Sequence, residues 1–257
     1  SGMGTIAGSV MGTYIGMLGG TDPAAKVLFA THLLSASVMA VPGSIVLAKM
    51  LCPQTEEATD HVAISGKEKE NSNILDAISS GTVTGVKLMT NIAAMLLVFI
   101  SLVALANYIT EGVIGRYTGL NDWIVKITDG KAQGLTFQFI LGVITSPFMW
   151  LIGVPSQDIM LVGSLLGQKT ILNEFVAYFQ LQQWKDAGLF MYEKSILMST
   201  YILCGFANIS SIGILLGGLG VLAPEKRGLI SRIGLPAMIG GSLVSVLSAT
   251  IIGMILG

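Results

Sequence analysis

The sequence predicts an all-α integral membrane protein with several spans, a re-entrant helical hairpin and broken helices in an inverted-repeat architecture. Three observations predict it. Of 257 residues, 52% are hydrophobic and only 11% charged, against about 25% charged in a water-soluble domain. Five runs, at 1–21, 88–110, 132–157, 195–224 and 233–257, hold no Asp, Glu, Lys or Arg, and about 20 helical residues are enough to cross about 30 Å of hydrocarbon. Two apolar segments carry glycine and polar residues at their centres, which lipid tolerates only where the freed backbone lines a protein cavity.

Other classes fall away. A net charge of −1 leaves no basic footprint, so no nucleic-acid partner is expected. Two cysteines, Cys52 and Cys204, and two histidines, His32 and His61, provide neither a disulfide framework nor a metal centre. No Gly-x-Ser-x-Gly string, phosphate loop or metal-spaced His/Glu set occurs, so no enzyme is expected. The chain opens without a basic leader and runs straight into apolar sequence, which predicts that 1–257 is the C-terminal membrane portion of a longer protein.

In chain order, segment 3–19 carries glycines at 4, 8, 12 and 16 on one helical face, a spacing that favours close helix packing in a bilayer. Segment 26–51 is a span, with Pro42-Gly43 marking a kink. Residues 52–70 are a charged, solvated loop. At 71–91, Ile74, Leu75, Ile78, Val83, Val86 and Leu88 recur at helical spacing beside Asp76 and Lys87, predicting an amphipathic helix at the interface. A span follows at 92–108, then a stretch at 111–131 with Tyr117 and Trp123 among charges, the mixture of a headgroup zone. Segment 135–154 is apolar. Gly153-Val154-Pro155-Ser156-Gln157-Asp158 breaks it, and 163–181 reads as a short, interrupted pair of helices, the hairpin. Segment 195–223 exceeds one crossing, and its polar centre, 204–211, predicts an unwound turn between two half-helices. The last span is 233–257.

Glu174 carries the sharpest chemical signal. A carboxylate in an apolar stretch costs at least about 2.5 kcal/mol at the bilayer centre, so it is expected to face a polar site and to have a partner. Lys169, five residues earlier, is the competing explanation as a charge partner near the interface. Asn208 and Ser211, three apart, would present an amide and a hydroxyl to one point. Ala7-Gly8-Ser9-Val10-Met11-Gly12 and Ala207-Asn208-Ile209-Ser210-Ser211-Ile212-Gly213 are weakly alike, as symmetry mates in a transporter's internal repeat would be. His32 is expected to be a packing histidine and Asp158 a helix cap.

These same strings, with Gly153-Val154-Pro155 and Lys169-Thr170-Ile171-Leu172-Asn173-Glu174-Phe175-Val176-Ala177-Tyr178, resemble the concentrative nucleoside transporters. The resemblance covers essentially the whole chain. It implies a homotrimeric, sodium-coupled symporter in a bacterial inner membrane, moving nucleosides such as uridine or adenosine by an elevator-like alternation of a transport domain against a fixed scaffold. It further implies that Glu174, Asn208 and Ser211 bind the ribose hydroxyls, that Phe206 and Val10 supply apolar contacts, and that backbone carbonyls at Thr5 and Ile6 help hold sodium. A carboxylate accepts two vicinal hydroxyl protons in charge-assisted bonds about twice as strong as neutral ones, and hard cations favour such carbonyl oxygens. A proton-coupled member of the family is the nearest alternative; a channel or a non-transporting membrane subunit is the alternative from another class. Ser156 stands where the family usually has tryptophan. The family's base-reading first hairpin has no counterpart here, and Gln54-Thr55-Glu56, which tempts as one, lies in the charged loop.

Overall fold

The computed structural model describes residues 2–53, 73–128, 130, 132–222 and 224–257. In order these form α1 (Gly8–Gly19), α2 (Pro23–Leu51), α3 (Ile74–Asn107), a π-helical turn (Tyr108–Gly115), α4 (Arg116–Thr118), α5 (Leu120–Ile127), α6 (Phe137–Leu151), α7 (Ile159–Ile171), α8 (Glu174–Asp186), α9 (Glu193–Leu203), α10 (Ile209–Leu222), a 3-10 turn (Pro224–Lys226) and α11 (Arg227–Ile255). No strand occurs among the described residues.

Helices α2 and α11, 29 residues each, are individually long and apolar enough to cross a bilayer. Asp22 starts α2 by accepting the Ala24 N–H at 2.9 Å, Pro23 follows at the first helical position, where its missing donor costs nothing, and the helix continues through Pro42. Two charge-free runs fall short of the span their length allows, and a third is broken where its polar centre predicts. Run 1–21 contains a helix of 12 residues and run 132–157 one of 15, which reach only about 18 and 22 Å at 1.5 Å per residue. Run 195–224 is divided at 204–208. Glycine, proline and serine at the ends of these pieces shorten them below bilayer thickness. The glycine face of α1 has no packing partner among the described residues, since Gly8, Gly12 and Gly16 have open space where a Cβ would stand.

Most of the charged loop, 54–70, lies outside the described residues, as do Gln54, Thr55 and Glu56. The composition predicts a division at Asn91 into an interfacial helix and a span; the backbone has none there, for α3 runs through it without interruption. Amphipathic and apolar stretches share the 3.6-residue period, so composition changes there while the hydrogen-bond ladder does not. The Asn73 side chain caps this helix on Asp76 N–H at 2.9 Å. Two asparagines fasten its far end to the loop before α6: Asn107 accepts the Phe137 N–H at 2.7 Å, and Asn121 accepts the Leu135 N–H at 2.9 Å while donating to the Glu111 carbonyl at 3.0 Å.

Helices α6 and α7 pack antiparallel at backbone contact. A Cβ on Gly142 would stand 2.9 Å from the Met160 carbonyl oxygen and one on Gly163 2.6 Å from Thr145 Oγ1. Their connection turns at Gly153, whose φ of 84° is open to glycine. Asp158 occupies the N-cap position of α7 but does not cap it with its side chain. Its buried carboxylate accepts the Met191 and Tyr192 N–H groups at 3.0 and 3.1 Å, tying this turn to the approach to α9. The expected interrupted pair at 163–181 is α7 and α8, separated by Leu172 and Asn173.

The main core joins α1, α2, α7, α8, α9 and α11 through residues such as Tyr14, Leu33, Leu165, Tyr178 and Ile202. His32 packs edge-on against Tyr201 and shares a hydrogen bond with its hydroxyl at 3.1 Å. Helix α11 approaches its neighbours through small residues: a Cβ on Gly241 would stand 2.7 Å from the Met3 carbonyl oxygen, and one on Gly253 2.8 Å from the Met198 methyl. A second small cluster, Met3, Ala207 and Met238, seats the chain before α1 against the break between α9 and α10.

Candidate functional site

Two interruptions in the backbone, at 172–173 and at 204–208, build the candidate site. At the first, Asn173 leaves the helical conformation, and its side chain accepts the Val176 N–H at 2.9 Å, starting α8. Glu174 is therefore the first residue of a helix, where unpaired N–H groups and the helix dipole favour a carboxylate. It is 6% exposed. Tyr14 lies beside it, its ring 6.4 Å from that of Phe175 and stacked on Tyr178 with centroids 4.2 Å apart.

At the second interruption, Asn208 stands before α10 and divides its amide. Its Oδ1 accepts the Ser211 N–H at 2.7 Å and the Ser210 hydroxyl at 2.6 Å, the work of an N-cap. Its Nδ2 donates to Glu174 Oε2 at 2.9 Å. Asn208 and Ser211 are both fully buried. The Ser211 hydroxyl donates to the Asn208 carbonyl at 2.7 Å and accepts the Asn208 N–H at 3.2 Å, so it is turned into the break rather than presented beside the amide.

The structure thus brings Glu174, Asn208 and Ser211 together. Phe206 lies half-buried within the same break. Val10 is half-buried in the first turn of α1 and packs on the main core. Thr5 and Ile6 lie in the non-helical stretch before α1, and buried Ile6 shares the main core with Cys204 at the start of the second break. The Thr5 hydroxyl is buried without a hydrogen-bond partner. Among the described residues no group of three or more His, Cys, Asp or Glu side chains could bind a metal ion, so any cation held here would rely on carbonyl and hydroxyl oxygens.

Two residues join the site that sequence reasoning did not place there. Tyr14 carried no signal, being one aromatic in an apolar segment. Lys169 carried one, since an ammonium inside an apolar stretch is as anomalous as a carboxylate. Read as a counter-charge near the interface, it is instead fully buried, bonding the Ile202 carbonyl at 2.7 Å and the Ser245 hydroxyl at 3.1 Å, with Glu174 as an electrostatic neighbour.

Residues 32–253 match the family model described as Na+ dependent nucleoside transporter C-terminus. The chain belongs to the concentrative nucleoside transporter family. It is 37% identical to sodium/nucleoside cotransporter 1 of Rattus norvegicus, across 99% of this chain and 38% of that protein. It is 36% identical to the nucleoside permease NupC of Helicobacter pylori, across 100% of this chain and 56% of the permease. An uncharacterized transporter of Haemophilus influenzae is 39% identical, again across 100% of the chain and 57% of the relative. Among solved structures, CNTnw in an inward-facing substrate-bound state superposes with a TM-score of 0.76 at 34% identity, covering 100% of this chain and 56% of that one. A variant of CNTnw in an intermediate state gives 0.78 at 36% identity, covering 100% and 57%. The concentrative transporter chain described here therefore has the multi-span helical fold of a membrane transporter and spans little more than half the length of the bacterial relatives it matches.

Proposed function

We propose that this chain forms the ribose-binding part of a sodium-coupled nucleoside symporter, with Glu174, Asn208 and Ser211 as the hydroxyl-binding groups. The observation that carries the reading is the Asn208 to Glu174 hydrogen bond at 2.9 Å, which joins a hairpin apex to a broken helix in the protein interior. Such junctions hold substrates in secondary transporters because they leave polar groups at membrane depth. The carboxylate would accept both ribose hydroxyl protons, displacing or sharing the Asn208 amide. A nucleoside lacking one hydroxyl would leave a buried acceptor unpaired, which gives discrimination. Phe206 and Val10, both half-buried nearby, would cover the apolar faces of the nucleoside.

Sodium coupling is part of the same reading. The buried, partnerless Thr5 hydroxyl lies in a non-helical stretch with Ile6, and a hard cation would be held there by oxygens of this kind. The sodium gradient would provide the driving force, while these residues bind the ion. Transport rather than catalysis is the chain's proposed role. Assembly as a homotrimer in the bacterial inner membrane, with elevator-like alternation, completes the proposal; the exposed apolar side chains along α3, Ile78 and Val83 among them, suit a scaffold helix that meets lipid or another subunit.

The test is radiolabelled uridine uptake into proteoliposomes holding the full-length protein that contains these residues, or its Glu174→Gln variant, under an imposed sodium gradient and, separately, a proton gradient. Accumulation driven by sodium and lost in the variant is the expected result. Accumulation driven by protons alone would transfer the coupling to a titrating side chain, and undiminished uptake by the variant would remove Glu174 from the site. Flux without accumulation would point to a channel.

A further inference from the structure

The C-terminal end of α9 has its carbonyls satisfied in an unusual way. The last four carbonyl groups of a helix lack intrahelical partners. Here the Tyr201 carbonyl accepts from Cys204 N–H at 3.1 Å and the Leu203 carbonyl from Gly205 N–H at 2.7 Å, both within the break. The other two are taken by side chains from the hairpin: the Tyr178 hydroxyl donates to the Thr200 carbonyl at 2.8 Å, and the Lys169 ammonium to the Ile202 carbonyl at 2.7 Å. Both donors are fully buried. One comes from α7 and the other from α8, so each arm of the hairpin grips the same helix end. A cation at a helix C-terminus is also favoured by the dipole.

Lys169 reaches further. It donates to Ser245 on α11 at 3.1 Å, and Ser245 passes the chain on to the Gly241 carbonyl at 3.2 Å. Gly205 makes room for this, since a Cβ there would stand 3.1 Å from the ammonium. Three long-range bonds, Lys169 to Ile202, Tyr178 to Thr200 and Glu174 to Asn208, connect the same two stretches of backbone. Tyr178 and Glu174 both lie after the apex, on α8, so Lys169 supplies the bond from the α7 side. Bonds from both sides of the apex fix orientation as well as distance.

We propose that Lys169 is a positioning residue for the ribose site: by clamping the end of α9 to the hairpin it holds Glu174 and Asn208 in register and so sets selectivity for the ribose hydroxyls. The inference rests on the ribose reading of Glu174 and Asn208. A role confined to folding would affect every substrate alike, whereas a positioning role acts on the contacts that the hydroxyls make.

The experiment compares uptake of uridine with that of 2′,3′-dideoxyuridine, which lacks both hydroxyls, by the full-length protein that contains these residues, in proteoliposomes. Lys169→Met is expected to raise the KM for uridine about tenfold or more while moving that for the dideoxy analogue by less than about twofold. Ser245→Ala, a near-isosteric change that leaves the Ile202 bond in place, is expected to raise the uridine KM by about threefold with the same selectivity, and it decides the matter where Lys169→Met fails to insert. Equal losses for both substrates, or an unchanged uridine KM, would overturn the inference. Glu174→Gln run in parallel separates the two levels. If it distinguishes the substrates and the other variants do not, only the role of Lys169 falls; if it too treats them alike, the ribose reading falls with it.

Discussion

The Asn208 amide nitrogen donates to the Glu174 carboxylate at 2.9 Å across 34 residues of sequence, while the oxygen of the same amide caps α10. One side chain thus both starts a half-helix and holds a buried charge. The two tasks need opposite ends of the group, and asparagine supplies an acceptor and a donor on separate atoms of one short side chain.

Substitutions at this position separate the tasks. Asn208→Asp keeps an acceptor for the Ser211 N–H but sets a second carboxylate against Glu174, so α10 should persist while uridine uptake is lost. Asn208→Ala removes both functions and should lower stability by about 1 kcal/mol for the cap, with about 1–3 kcal/mol more for the acceptor left unpaired. Thermal unfolding of the purified protein beside uptake in proteoliposomes checks both; active Asn208→Asp would contradict the pairing.

Thr5→Val tests the cation site by the sign of two effects. The hydroxyl is buried without a hydrogen-bond partner, so replacing it by a methyl group removes an unsatisfied polar atom and should raise thermal stability in sodium-free buffer by about 1 kcal/mol. If the oxygen contributes to sodium binding, the half-saturating sodium concentration for uptake should rise by about tenfold. Higher stability with unaltered sodium dependence would take Thr5 out of the ion site.

Gly241→Ala should be destabilising by about 1–3 kcal/mol, the usual cost of overpacking. The added Cβ would lie 2.7 Å from the Met3 carbonyl oxygen and 3.0 Å from the Ala207 Cβ. Backbone on one side and a short side chain on the other leave no flexible group to yield, so α11 must move away from the chain before α1 and from the break at 204–208. A melting temperature equal to that of the parent would show that the contact relaxes without cost.

Part of this arrangement was legible in the residues because helix breaks are local chemistry. Gly205, Asn208 and Ser211 inside an apolar run announce an unwound segment, since their small or polar side chains cap and turn a backbone that leucine and isoleucine would continue. Asn173 before Glu174 is the same signal, and the cost of a carboxylate in lipid marks Glu174 by itself. The continuity of α3 was not legible, because a change in composition at Asn91 was read as a change in backbone. Ser211 was expected to face the same point as Asn208, yet its hydroxyl closes back on the Asn208 main chain.

By itself, then, the sequence determined that this chain is a membrane protein of spans and broken helices, that one break falls within 204–211 and another within 163–181, and which carboxylate has to be partnered. Only the tertiary structure decided who the partners are. Lys169 lies 33 residues from Ile202 and 76 from Ser245, and Tyr14 stacks on Tyr178 from the far end of the chain. No local rule specifies such pairings. They follow from close packing of whole helices, in which glycines such as Gly142, Gly163, Gly205 and Gly241 set how near two backbones come, and hence which buried donor reaches which carbonyl.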